Sequence, residues 1–122
     1  VSAVDYIHAQ RYRRIFQRDL DRLFDTYCAL LLPATPIPAP RIDQETVEIG
    51  GVPEGVGPAA TRLVRQFNYA GVPVLTLPCG FTAEGLPIGM QVVTRAGDEL
   101  AGLRLGRLYQ RLTRWHKRYP AL

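Results

Sequence analysis

Asn68-Tyr69-Ala70-Gly71-Val72-Pro73-Val74-Leu75-Thr76-Leu77-Pro78-Cys79-Gly80 reads as a single change of secondary structure. Before it, Leu63, Phe67 and Ala70 recur at helical steps and fall on one side. Gly71 can adopt the left-handed conformation that closes a helix, and Pro73 prevents its continuation. Val74-Leu75-Thr76-Leu77 is rich in β-formers and ends at Pro78-Cys79-Gly80. A second β-rich run, Leu86 to Val93, follows Glu84-Gly85 at a distance that suits an antiparallel hairpin. The expectation is a helix over 59–70 and strands over 74–79 and 87–94.

Downstream, a helix is expected over 98–118. Ala101, Leu105, Leu108, Leu112, Trp115 and Tyr119 alternate four- and three-residue steps, and Arg104, Arg107, Arg111, Arg114 and Arg118 run beside them. Asp98 and Glu99 at its start and Lys117 and Arg118 at its end match the helix dipole, and Pro120 stops it. Gly102 and Gly106, one turn apart, would let this helix approach a neighbour closely. The arginine stripe reads first as a solvated face. Its alternative is a contact surface for RNA or an acidic protein, although no aromatic residues alternate with it to stack on bases.

Upstream, Tyr12, Phe16, Leu20, Leu23, Phe24 and Tyr27 place one apolar stripe on a helix expected over 2–27, with Ser2 and Asp5 set as a capping box. Cys28 to Leu32 is a short apolar run, expected as a strand over 28–32 buried on both faces. The stretch 33–58, with its prolines and Gly50-Gly51, is expected as a long loop. Helices alternating with strands give an α/β class, a layered mixed sheet flanked by helices.

The chain has 122 residues, 47% of them hydrophobic and 21% charged, the balance of one globular domain. No apolar run is long enough to span a bilayer, and no secretory signal pattern is present. The two cysteines, Cys28 and Cys79, sit in apolar stretches and are expected to be reduced, buried thiols of a cytoplasmic protein. The net charge of +4 comes from fourteen arginines and one lysine against eleven acids. Val1 leads directly into the helical pattern, as expected of a segment cut from something longer.

Reactive chemistry is sparse. The single serine, Ser2, is better used as a helix cap than as a nucleophile. His8 and His116 lie far in sequence from both cysteines, and two histidines without a carboxylate cluster make a poor metal site. Gly85-Leu86-Pro87-Ile88-Gly89 lacks the lysine and following helix of a phosphate loop. No cofactor, metal or catalytic residue is therefore expected within the chain.

Four motifs in order resemble the C-terminal part of the amidase-signature family. They are Asp25 through Leu32-Pro33-Ala34-Thr35-Pro36, then Asn68 to Gly80, then Gly85-Leu86-Pro87-Ile88-Gly89-Met90-Gln91, and finally the closing helix with Tyr109, Trp115 and Pro120. The resemblance implies hydrolysis or transfer at a carbon–nitrogen amide bond. The family's nucleophilic serine, its cis-peptide serine and its lysine lie in a Gly/Ser-rich stretch that these residues do not contain. On this reading the partner is the remainder of an amidase chain, and a small amide is bound only in the complete enzyme. Neither membrane nor nucleic acid is expected to take part, and exposed apolar faces would favour a homo-oligomer of the isolated chain. Thr61, Asn68 and Cys79 are the candidate pocket-wall residues. In the related branch of glutamyl-tRNA amidotransferases, an aspartate of the amidase-like chain tends to precede the asparagine by seven residues. Thr61 stands there, which favours a general amidase.

Overall fold

The computed structural model describes residues 1–119; Pro120, expected to stop the last helix, lies outside them. The elements run α1 (Ala3–Phe24), β1 (Leu30–Pro33), β2 (Thr46–Ile49), β3 (Val52–Gly55), α2 (Val56–Thr61), α3 (Arg65–Ala70), β4 (Val74–Phe81), β5 (Pro87–Val93) and α4 (Glu99–Leu112), followed by a 3-10 turn at Trp115–Lys117. A three-stranded antiparallel sheet in the order β1-β5-β4 forms the centre. The β4–β5 pairing sets Val74 opposite Val93 and Thr76 opposite Gln91, and a bulge lies between Pro78 and Gly80.

Alternation along β5 sends neighbouring side chains to opposite faces. Val93 belongs to a core with Leu20 and Phe24 of α1 and with Phe67 and Ala70 of α3, and Phe16, Leu30, Leu32 and Val72 pack against it. On the other face α4 lies over Leu75 and Leu77. The result is a sheet between two helical layers.

Several local signals act as their chemistry requires. The Ser2 hydroxyl accepts a hydrogen bond from the Asp5 amide at 3.1 Å, and the Asp5 carboxylate accepts one from the Ser2 amide at 3.1 Å. Gly71 closes α3 with φ of +75°, and a side chain there would also meet the Arg13 guanidinium. The last carbonyls of α3 are occupied from α1. Arg13 donates to Tyr69 O and Gln17 donates to Ala70 O, each at 2.6 Å. Asp98 caps α4 by accepting from the Ala101 amide at 3.1 Å.

Other expectations are corrected. The first helix ends at Phe24 rather than 27, and the strand expected over 28–32 is Leu30–Pro33. That strand is not buried on both faces, since Leu31 is exposed. Cys28 is exposed in the bend before it, and Cys79 is only half-buried. The expected loop 33–58 contains the β2–β3 hairpin, turned at Gly50 and Gly51, both with positive φ. The helix expected over 59–70 is two short helices separated at Arg62–Val64. The helix expected over 98–118 ends at Leu112, where the Thr113 hydroxyl donates to Tyr109 O at 3.0 Å.

Candidate functional site

Gln91 organises the region that carries the family-like motifs. It stands in an apolar strand and is fully buried. Its Nε2 donates to Pro33 O at 2.9 Å and to Leu63 O at 2.8 Å, tying the end of β1 to the α2–α3 turn. Its Oε1 has no partner among the described residues. Arg62 adds an ion pair with Glu54, fastening the same turn to β3. A second tie joins the end of α1 to the end of β5. Arg95 donates to Asp21 O at 3.0 Å and to Asp25 Oδ1 at 2.5 Å. The hydrogen bond to Asp25 raises the Arg95 pKa above its ordinary value.

The three residues singled out for a pocket wall lie on three elements. Thr61 is exposed at the end of α2, where its hydroxyl donates to Gly57 O at 2.9 Å. Asn68 is exposed on α3, and the turn after it is closed not by its side chain but by the Gly71 amide on Phe67 O at 2.8 Å. Cys79 is the extra residue at the β4 bulge. None of the three lines the cavities along α1, α4, the 35–48 segment or the β4–β5 hairpin, and none of those cavities brings them together.

No hydrogen bond links Cys28 or Cys79 to a histidine among the described residues, and no group of three or more potential metal ligands occurs among them. No described helix is long and apolar enough to cross a membrane. Arg104, Arg107, Arg111 and Arg114 are exposed, with no ion pair among the described residues.

The most enclosed of these cavities is one that the sequence patterns do not announce. It lies where the β4–β5 hairpin meets the 3-10 turn, and is lined by Phe81, Trp115, His116 and Arg118 with Pro78 and Pro87. Periodicity places Trp115 on the apolar stripe of a continuous helix, which hides its role here. The available signal is Phe81, an aromatic residue at the strand end with no partner in either strand pattern.

A model of the family described as Amidase matches residues 1–103. An amidase of Pseudomonas putida is 38% identical over 126 aligned positions, covering 100% of this chain and 26% of that protein. The A subunit of the glutamyl-tRNA(Gln) amidotransferase of Roseiflexus castenholzii is 40% identical over 119, covering 94% of this chain and 22% of its own length. A solved structure described as the crystal structure of amidase superposes with a TM-score of 0.86 at 34% identity, covering 92% of this chain and 26% of that one. The chain thus spans about a quarter of the length of the relatives it matches. With its four motifs in order and its helices and strands in the same arrangement, the chain belongs to the amidase family.

Proposed function

We propose that this chain is the C-terminal part of an amidase-type hydrolase acting on carbon–nitrogen amide bonds. It supplies scaffold and pocket wall, while the serine, cis-serine and lysine are supplied by the remainder of the enzyme. The observation that carries this reading is the family match over about a quarter of each relative's length, combined with the state of the only serine. The Ser2 hydroxyl donates to Asp5 Oδ2 at 2.8 Å and caps a helix, with no hydrogen bond to a histidine among the described residues. A nucleophilic serine needs a positioned base and an oxyanion site.

Thr61, Asn68 and Cys79 are assigned to the wall of the pocket completed by that remainder, near the turn that Gln91 holds. The absence of aspartate at Thr61 supports a general amidase acting on a small amide over glutamine-dependent amidotransfer. A cytoplasmic location is part of this reading, and two free cysteines support it. Tyr6, Ile7, Tyr12 and Leu31 are exposed apolar side chains that the remainder would cover, and that a second copy would cover in the isolated chain.

The test joins this chain to the upstream three-quarters of the Pseudomonas putida amidase and assays simple aliphatic and aromatic amides. The chimaera should hydrolyse them and sediment as a defined species. The isolated chain should be inactive and self-associated. Comparable hydrolysis by the isolated 122 residues would overturn the proposal.

A further inference from the structure

We propose that the cavity between the β4–β5 hairpin and the Trp115–Lys117 turn binds a small aromatic carboxylate. Its volume is about 270 Å³, suited to one ring with a short polar substituent. The Phe81 and Trp115 rings stand 6.0 Å apart at 48°, tilted to each other rather than stacked face to face. Pro78 and Pro87 complete an apolar wall. A flat ring meets complementary surface here, and an alkyl chain meets less of it.

Two polar groups define the other end of the ligand. Arg118 lies over Phe81, its guanidinium carbon 4.1 Å from the ring centroid, and so holds a cation at the cavity. His116 Nδ1 is buried with no hydrogen-bond partner among the described residues, in the wall of the same cavity. As an N–H donor, Nδ1 would find its acceptor in a carboxylate oxygen, whose charge would face Arg118. No acidic side chain lines the wall among the described residues. The surrounding sequence is one-sided as well. Residues 100–122 carry Arg104, Arg107, Arg111, Arg114, Lys117 and Arg118 and no acid, so an anion approaches a positive field.

This inference does not rest on the amide-hydrolysis reading, and its test reports on the cavity whether or not the chain turns over any substrate. Trp115 is the only tryptophan, so its fluorescence reads this site alone. Benzoate titrated into the 122-residue chain, with helical circular dichroism verified beforehand, should change that emission saturably. For a ligand this small the dissociation constant should be on the order of 1 mM. Benzyl alcohol, which keeps the ring, and cyclohexanecarboxylate, which keeps the charge, should each bind more weakly. Arg118→Gln should weaken benzoate about tenfold, Arg118→Lys less, and His116→Phe several-fold, as expected for losing a charge-assisted contact. A linear, non-saturating change would overturn the proposal. So would equal affinity for benzyl alcohol, or unchanged affinity in both Arg118→Gln and His116→Phe.

Discussion

The two faces of the central sheet are covered by opposite means. On one, α1 and α3 bring large side chains, with Leu20, Phe24 and Phe67 buried against Val93. On the other, the buried residues of α4 are Gly102 and Gly106, while Leu108 and Leu112 on its apolar stripe stay exposed. The first face is held by volume and the second by proximity. An apolar stripe therefore identifies part of the contact on α1, through Phe16, Leu20 and Phe24, and only the flank of the contact on α4.

The difference predicts where substitutions cost most. Phe67 is 3% exposed and sits between α1 and the sheet, so Phe67→Ala removes a ring from a filled space. Thermal unfolding at fixed protein concentration should show a loss of about 3–5 kcal/mol. A loss below about 1 kcal/mol would mean that the α1–α3 face is not packed by volume at all.

The α4 face calls for a paired experiment. A Cβ at Gly102 would rest 3.6 Å from Thr94 Cγ2, an ordinary contact. Gly102→Ala should therefore keep the gain in helix propensity and stabilise by up to about 1 kcal/mol. A Cβ at Gly106 would run into the Leu75 side chain. Gly106→Ala should lose that gain to displacement of Leu75 and come out neutral or destabilising by about 1 kcal/mol. Equal stabilisation in the two variants, measured by thermal melts, would show that α4 does not sit this close to β4.

Much of this organisation is legible in the sequence because its causes are local. Ser2 with Asp5, Gly71 with Pro73, Asp98, and the paired β runs each act within a few residues of chain. The small pair Gly102 and Gly106 also announces a close approach. What is not legible depends on distant partners. Nothing in Arg62-Leu63-Val64 breaks a helix, yet the Gln91 carboxamide captures the Leu63 carbonyl from across the fold, and the helix divides there. The Trp115 ring turns toward Phe81 instead of continuing α4, and this places the aromatic cavity beyond any periodic pattern. The β2–β3 hairpin is a different case, since Gly50-Gly51 flanked by Val47, Ile49 and Val52 is a recognised two-residue turn signal. Of the candidate residues, Thr61, Asn68 and Cys79 are locatable on their elements, but under the proposed reading the pocket that would unite them draws on the remainder of the enzyme.

The α1 face also contrasts with itself, and the smallest predicted effect tests that. Residues 1–9, at the start of α1, are exposed, whereas Leu20 and Phe24 are buried near its other end. Apart from the Tyr69 hydroxyl, which donates to Ala9 O, the free end is held by its cap. Hydrogen bonds from the Ser2 side chain, and then from its backbone, lower the Asp5 pKa below the ordinary value of 3.8. A carboxylate lowered in the folded state contributes fully above that ordinary value and is lost as pH falls through the folded one. Acidification from pH 5 to pH 2 should thus fray the first turns, read as faster amide exchange over residues 2–9. Asp5→Asn should already be frayed at pH 5, and the two proteins should converge at low pH. The melting temperature at pH 5 should barely separate them, because the packed end of α1 begins beyond the residues that fray. A clear difference in melting temperature would show that the free end of α1 is coupled to the aromatic core.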